Sequence, residues 1–362
     1  MRIAIIGLGN AGSTLHLPAL AGMSGVHIAG VCDVDEERRR DAERRFGVPT
    51  FEDVERMLAG ASPDVVVVGT PPESHADLCE AALRAGCDVI CEKPFAVTTD
   101  EADRIIAAAR RARKQVALNH EFREMPIFRA LRDRIGEPEV GRLLFAQIWQ
   151  AMDLPPWKEA GWRSELLEGT LFEAGIHLID YAVFLFGERP RSVSATVSSC
   201  AASGESSDAL ALVTLEFSDG RIAHVAQNRL SPGDTQYFEV RAECANACLR
   251  ASFGGRARLS LGMYRSTRPH LRWEWGASGI AWSERGSRRS TFARNPKDPA
   301  MVATRTLFEN TLRAFRDGAR PPATAEDGRL ALEVVAAAYE AARSGVRTAL
   351  DERAGAGVES NE

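Results

Sequence analysis

Residues 2 to 33 constrain the fold more than any other stretch. The run Arg2 to Ile6 opens directly onto Gly7, Gly9 and Gly12, spaced G-x-G-x-x-G, and a second apolar run, VHIAGVCD, ends on Asp33. A strand entering such a turn needs Gly7 for the sharp reversal. Gly9 lets the backbone approach a pyrophosphate, and Gly12 lets the next helix pack closely on the strand with its N-terminal amides facing the phosphates. Asn10 and Ala11 complete the turn, and the segment Ser13 to Met23 is helix-compatible. Asp33 falls where a carboxylate meets the adenosine ribose in a dinucleotide-binding βαβ unit. Glycine-rich turns are common, so it is the strand before and the helix and strand after that carry this reading.

At 362 residues the chain has room for two ordinary domains, and a net charge of −5 gives no general attraction to nucleic acid or anionic membrane. The start IAIIGLG is too short and glycine-broken for a signal segment, and no run approaches the roughly 20 apolar residues of a spanning helix, so a cytoplasmic protein is expected. Seven cysteines (Cys32, Cys79, Cys87, Cys91, Cys200, Cys244 and Cys248) form no C-x-x-C pair, which argues against a disulfide framework or a zinc site. The tail from Asp351 is polar and glycine-containing, and fraying is expected there.

Strand-like runs recur as DVVVVGT at 64–70, DVICEKP at 88–94 and QVALNH at 115–120, separated by amphipathic helical segments at 36–46, 74–85 and 100–113. That rhythm predicts a doubly wound parallel Rossmann sheet over 1–121. Beyond it the pattern becomes period two, in RLLFAQIWQA, RSVSATVSSC, ALALVTLEFSDGRIAHVAQNRL, TQYFEVRAE and CLRASF, with an SDG hairpin turn. Helices are expected at Pro126–Ile135, roughly Leu166–Phe186 and Ala325–Ser344. The prediction for 122–350 is an α+β domain with an open, mostly antiparallel sheet, followed by a flexible tail at 351–362. An open sheet face calls for a partner, so a homodimer or homotetramer is expected.

In a doubly wound sheet, ligands gather beyond the carboxyl ends of the strands. Those positions here are Gly9 and Asn10, Asp33, Thr70 with Pro71 and Pro72, Glu92 with Lys93 and Pro94, and Asn119 with His120. Lys93 stands at the mouth of a buried strand; spacing alone also allows a solvated lysine or an ion-pair partner of Glu92. A second cluster is Glu173, His177 and Asp180. On one α-helix, Glu173 and His177 share a face with Cβ atoms roughly 5 to 6 Å apart, and Asp180 can orient the imidazole for proton transfer. The same pattern fits a polar helix face, a buried core histidine, or a metal site, the last disfavoured because no second histidine lies at ligand spacing.

GLGNAG at 7–12, TPPESH at 70–75, CEKP at 91–94, GWR at 161–163 and EAGIHLID at 173–180, in this order, resemble the Gfo/Idh/MocA (glucose-fructose oxidoreductase and inositol 2-dehydrogenase) family over about residues 1 to 350. The resemblance implies a nicotinamide-binding Rossmann domain, a second α/β domain, and hydride transfer at a carbinol or carbonyl carbon of a sugar, polyol or inositol-like molecule. By position it gives Lys93 the place beside nicotinamide and substrate, His177 that of the catalytic histidine, and Glu173 the place where many members carry Asp. The cofactor-binding set it implies is Gly7, Gly9, Asn10, Ala11, Gly12, Asp33, Arg38, Thr70, Pro71, His75, Glu92, Lys93 and Asn119. Two departures stand out: Glu173 is one methylene longer than Asp, and the glycine run before this helix shrinks to Glu168, Gly169 and Thr170.

The expected mechanism makes His177 the base, Lys93 the stabiliser of alkoxide charge, Glu173 a holder of a neighbouring hydroxyl and Asp180 the orienter of His177. Trp162, Arg163 and Arg123, with Asn119 and Trp157, are candidates for the substrate wall, although core or hinge packing equally suits Trp157 and Arg123. Asp33 favours NAD over NADP, a preference that Arg38 and Arg39 would soften. No metal, nucleic acid or membrane partner is expected. Competing readings are a non-catalytic sensor of the same fold, an NAD-recycling hydrolase or epimerase, and a reductase of aromatic or tetrapyrrole substrates using RWEWGASGIAW at 272–282.

Overall fold

The structure is a computed structural model that describes the chain apart from residues 153–161, 164–165, 167, 200–207, 232–236, 254–255, 265–266, 277 and 351–362, with backbone alone described over 256–276. Trp157, Cys200 and the expected tail therefore lie outside the described residues. Two compact units emerge: Met1–Glu124 with Ala300–Glu333, and Met125–Pro299 with the chain from Val334. No described helix is long and apolar enough to cross a membrane.

The first unit alternates strands and helices: β1 (Arg2–Ile6), α1 (Leu17–Ala21), β2 (His27–Cys32), α2 (Glu36–Phe46), β3 (Thr50–Phe51), α3 (Val54–Ala61), β4 (Val65–Val68), α4 (His75–Arg84), β5 (Asp88–Cys91), α5 (Thr99–Ala112) and β6 (Val116–Leu118). The strands form one sheet in the order β3-β2-β1-β4-β5-β6, and all its pairs are parallel. Strands buried on both faces need near-continuous apolar sequence, and Val65–Val68 is buried throughout. Helix starts follow local chemistry: Asp35 caps α2 by accepting from the Glu37 and Arg38 amides, and Thr98 with Glu101 forms a capping box on α5. Gly86, at φ 82°, closes the turn after α4, as its position before DVIC predicts.

The helix-compatible segment Ser13–Met23 is helical as far as Ala21, but it is not α-helical throughout. Gly12–His16 is instead a π-helical turn, in which the Leu17 amide reaches the Gly12 carbonyl, and α1 is short. Pro18 supplies the physical reason. In an unbroken α-helix its ring would collide with the Thr14 carbonyl and its missing N–H would leave that carbonyl unpaired, whereas a wider turn relieves both. The π turn directs His16 into the core, where it is fully buried.

The second unit holds α6 (Pro126–Arg134), β7 (Leu143–Ala151), α7 (Ile176–Phe186), β8 (Ser192–Ser198), β9 (Leu210–Glu216), β10 (Ile222–Asn228), β11 (Tyr237–Cys244), β12 (Cys248–Phe253), β13 (Arg256–Tyr264), β14 (Thr267–Gly276), β15 (Gly279–Arg285) and β16 (Arg288–Arg294). After α8 (Pro299–Asp317) and α9 (Ala325–Ser344), β17 (Thr348–Ala349) completes a nine-stranded sheet ordered β16-β15-β12-β11-β7-β10-β9-β8-β17. Only β7 with β10 is parallel, so the sheet is mostly antiparallel as expected. The β9–β10 hairpin turns through Ser218–Gly220, with Asp219 at φ 59°.

One sheet face buries Ala146, Ile148, Val213, Val225, Val240 and Ala251, and Phe238 on it meets Phe128 of α6 and Tyr181 of α7. On the other face Leu212 is 37 % exposed. Among the described residues β13 and β14 pair only with each other, and β14 and β15 take up much of the aromatic stretch at 272–282.

Two helices depart from expectation. The one expected from Leu166 starts at Thr170 as a second π-helical turn, Thr170–Gly175, and becomes α-helical only from Ile176. α8, absent from the sequence-level reading, places Leu307, Phe308, Leu312 and Phe315 in the core of the first unit beside Ile3, Ile5 and Val65.

Candidate active site

In the first unit, hydrogen bonding continues past the strand ends. Gly7 donates to Cys32, Gly69 to Ile6, Glu92 to Val68 and Asn119 to Cys91. The residues just beyond β1, β4, β5 and β6 are thereby set side by side along the carboxyl edge of the sheet. β1 lies between β2 and β4, where the strand order reverses and a doubly wound sheet opens its crevice.

The glycine turn at that edge has the form a dinucleotide requires. Gly7 sits at φ +94°, and a Cβ there would lie 2.8 Å from the Gly69 backbone; a Cβ at Gly12 would lie 2.0 Å from the Gly7 carbonyl oxygen. Gly9, by contrast, has nothing within 4 Å of its Cβ position, which leaves room for phosphates. Asp33 follows β2 and holds the turn: Oδ2 accepts from the Leu8 amide at 2.6 Å and Oδ1 from the Asp35 amide at 2.9 Å. Each oxygen keeps a lone pair for a ribose hydroxyl. The Arg38 guanidinium stands 3.6 Å from Asp33, half exposed, while Arg39 bonds the Asp33 and Val34 carbonyls.

Glu92 lies at the centre of a buried cluster. Oε1 faces His16 Nε2 at 2.6 Å and accepts from Asn119 Nδ2 at 2.5 Å, while Oε2 accepts from the Lys93 amide at 3.0 Å. Burial pushes the Glu92 pKa up, but the hydrogen bonds from His16 and Asn119 and the charge of Lys93 outweigh it and bring the value to about 2. Next to this cluster, His75 sets Nε2 2.8 Å from the Thr70 carbonyl and Nδ1 2.9 Å from the Pro94 carbonyl, tying the segments after β4 and β5 together. Burial pulls the His75 pKa down against those two carbonyls. The Lys93–Pro94 peptide is cis.

Arg123 is buried. Its guanidinium bonds the Pro322 carbonyl at 2.9 Å and Asp327 at 3.1 Å, so it secures the start of α9. Asn10 and Ala11 open the helix that follows Gly9, and Thr70 accepts from the Ser74 hydroxyl at 2.7 Å.

In the second unit, His177 falls in the first turn of α7 and Asp180 one turn later, both buried. Glu173 lies in the π turn, so it does not share one straight α-helix with His177 as the spacing predicts. Its Oε1 accepts from Arg163 Nε at 3.1 Å, and the Arg163 guanidinium lies 4.5 Å from the Trp162 ring centre. Two expected substrate-wall residues, Trp162 and Arg163, thus meet, and Arg163 holds Glu173. The π turn hangs from a network that sequence reasoning missed. Asp208 accepts from the Thr170 amide at 2.9 Å and the Tyr339 hydroxyl at 2.7 Å, and that hydroxyl accepts from the Leu171 amide at 2.9 Å. These contacts satisfy amides that a helix start otherwise leaves unpaired.

His16 is the other residue missed; its only signal is a single histidine in the apolar opening STLHLPAL. In chemical terms the first unit offers a phosphate cradle and a strand-end lysine. The second offers a histidine with a carboxylate held by a guanidinium.

Residues 1–120 match the family described as oxidoreductase family, NAD-binding Rossmann fold, and residues 128–247 match the Gfo/Idh/MocA C-terminal domain. The chain is 30% identical over 351 residues to D-apiose dehydrogenase of Paraburkholderia graminis, covering 94% of this chain and 88% of that protein. It is 26% identical to myo-inositol 2-dehydrogenase of Thermotoga maritima, covering 92% and 93% of the two chains. An Agrobacterium radiobacter oxidoreductase solved with NAD+, L-tartaric acid and magnesium shares the fold at a TM-score of 0.80 and 18% identity, over 96% and 98% of the chains. With both halves of the chain matched in order and the glycine turn shaped for a dinucleotide, this protein belongs to the Gfo/Idh/MocA family of NAD-binding oxidoreductases.

Proposed function

We propose that this oxidoreductase moves a hydride between a nicotinamide dinucleotide and a secondary carbinol of a sugar, polyol or inositol-like substrate, with Lys93 and His177 acting on the same oxygen. The observation that carries the proposal is the clamp on Lys93. Glu92 holds its backbone amide at the carboxyl edge of the sheet, beside the glycine turn that cradles a dinucleotide. The names of the relatives, a D-apiose dehydrogenase and a myo-inositol 2-dehydrogenase, support the substrate class.

A nicotinamide held by the glycine turn would supply hydride-transfer chemistry. Oxidising a secondary alcohol breaks a C–H bond, whose electron pair leaves as hydride, and an O–H bond, whose proton must be taken up as C=O forms. His177 takes that proton on a ring nitrogen, the general-base role open to an imidazole. The Lys93 ammonium stabilises the negative charge growing on the oxygen. Glu173, steadied by Arg163, accepts a hydrogen bond from a neighbouring hydroxyl, and Asp180 orients His177. In reduction His177 gives the proton back. Gly7, Gly9, Asn10, Ala11 and Gly12 hold the pyrophosphate, Asp33 the ribose, and Thr70, Pro71, His75 and Asn119 border the dinucleotide. Asp33 favours NAD, with Arg38 moderating the repulsion of NADP.

The protein is proposed to be cytoplasmic and to form a dimer or tetramer through the open sheet face, which light scattering tests. The function is tested by a screen of polyols, aldoses, inositols and their keto forms with both nicotinamides. The expected result is reduced nicotinamide formed with at least one secondary alcohol; no turnover across the screen, or product without net nicotinamide reduction, contradicts it.

A further inference from the structure

We propose that His16 is a positioning residue for Lys93: its Nε2–H donates to Glu92, and this keeps the Glu92 carboxylate turned onto the Lys93 backbone amide, which fixes the direction in which the lysine leaves β5. The inference rests on the function proposed above. It begins with donors and acceptors. An ionised carboxylate only accepts, so His16 Nε2, 2.6 Å from Oε1, carries a proton. Asn119 Nδ2 is 3.3 Å from His16 Nε2, two donors that cannot bond each other, so the Asn119 amide also serves Glu92, at 2.5 Å. Two donors thus hold one oxygen, and the other is left for the Lys93 amide at 3.0 Å.

The surrounding fold fits a ring set in one orientation. The π turn delivers His16 to the site, Phe308 packs edge-on at 5.5 Å between ring centres, and a Cβ at Gly69 would come within 3.3 Å of Nδ1. Among the described residues His16 Nδ1 and Asn119 Oδ1 are buried without hydrogen-bond partners, a cost set against the stabilisation the held Glu92 carboxylate provides. The charged and titratable groups around Glu92 are His16 from the π turn, Cys91 at the end of β5, Lys93 just beyond it, and His75 from α4. Of these, His16 and the Lys93 amide bond the carboxylate directly. Without the His16 donor, burial dominates and Glu92 takes up a proton at a higher pH.

The test compares His16→Leu, His16→Gln and His16→Leu/Glu92→Gln with wild type. The protonated-carboxyl band is followed by infrared spectroscopy, and the acid limb of kcat/KM is followed for hydride transfer. In H16L a protonated-carboxyl band absent from wild type appears between pH 5 and 7, the acid limb moves up by about one pH unit or more, and the band vanishes in the double variant. H16Q keeps an N–H at similar reach and moves both readouts back toward wild type. A missing band in H16L, a band that survives Glu92→Gln, or a kcat/KM profile merely scaled down in parallel with wild type overturns the proposal. Inactivity of the wild-type protein would count against the proposed function instead, and the infrared comparison would still decide the clamp. Should H16L fail to fold, His16→Ala takes its place under the same readouts: a band that vanishes with Glu92→Gln together with a raised acid limb supports the proposal, and the absence of either overturns it.

Discussion

Lys93 leaves a strand whose end is locked on both sides, since Glu92 donates to Val68 and accepts the Lys93 amide while Asn119 donates to Cys91. His177 instead leaves a helix whose opening turn is widened and suspended from the side chains of Asp208 and Tyr339, 38 and 168 residues away from the amides they hold. Of the two proposed acting groups, one is fixed by backbone register and the other by a few side-chain hydrogen bonds. A sheet edge is indifferent to most single substitutions because its bonds are main chain. A side-chain network fails when one member is lost. The first unit therefore provides a fixed frame, and the second carries the adjustable part, as suits a family of one fold and many substrates.

The largest expected effects bear on the acting groups themselves. Lys93→Ala and His177→Ala should each lower kcat by roughly a hundredfold or more while leaving the NAD dissociation constant within a few-fold of wild type, measured by steady-state kinetics and fluorescence titration. Wild-type turnover in either variant would remove that residue from the chemistry.

The locked half is probed by pH. Glu92, at about 2 in the folded state, lies below the value near 4.3 of an unfolded glutamate. Its contribution is therefore complete above that unfolded value, shrinks as the pH falls through the interval, and is gone below the folded pKa. The full amount is on the order of 3 kcal/mol. Urea unfolding between pH 6 and 3 should show a steeper acid loss in wild type than in Glu92→Gln; parallel curves would mean that the carboxylate is not held.

In the suspended half, Tyr339→Phe removes the acceptor of the Leu171 amide and a donor to Asp208. A loss of about 1 to 3 kcal/mol in thermal unfolding and of roughly tenfold in kcat/KM is expected, with NAD affinity unchanged. A stability loss without a kinetic one would make the network structural only. The smallest effect belongs to the partly exposed Arg163–Glu173 pair. Arg163→Met should raise KM a few-fold, about 1 kcal/mol or less, and change kcat little.

The same contrast explains what sequence could reveal. β1, β4 and β5 are apolar runs that stop at Gly7, Gly69 and Glu92, so the fold of the first unit and its functional edge are written locally in RIAIIG, VVVVG and VICEKP. The π turns are not legible, because helical periods of 3.6 and 4.4 residues place apolar side chains almost identically over five or six positions. Pro18 gives a hint for the first, and nothing comparable marks the second. Asp208 and Tyr339 belong to the site through contacts across the second unit, for which the chain carries no local pattern. α8 is a different matter: Ala303, Leu307, Phe308, Leu312 and Phe315 recur at helical spacing, so its signal is present in the sequence.

The claim on which the account rests is that Lys93 and His177 serve one oxygen of one substrate, and a double-variant cycle of hydride transfer with Lys93→Ala, His177→Ala and both together tests it most directly. Groups acting as a unit should give a double variant hardly slower than the worse single variant. Losses that multiply would place the two residues in separate steps and contradict the account.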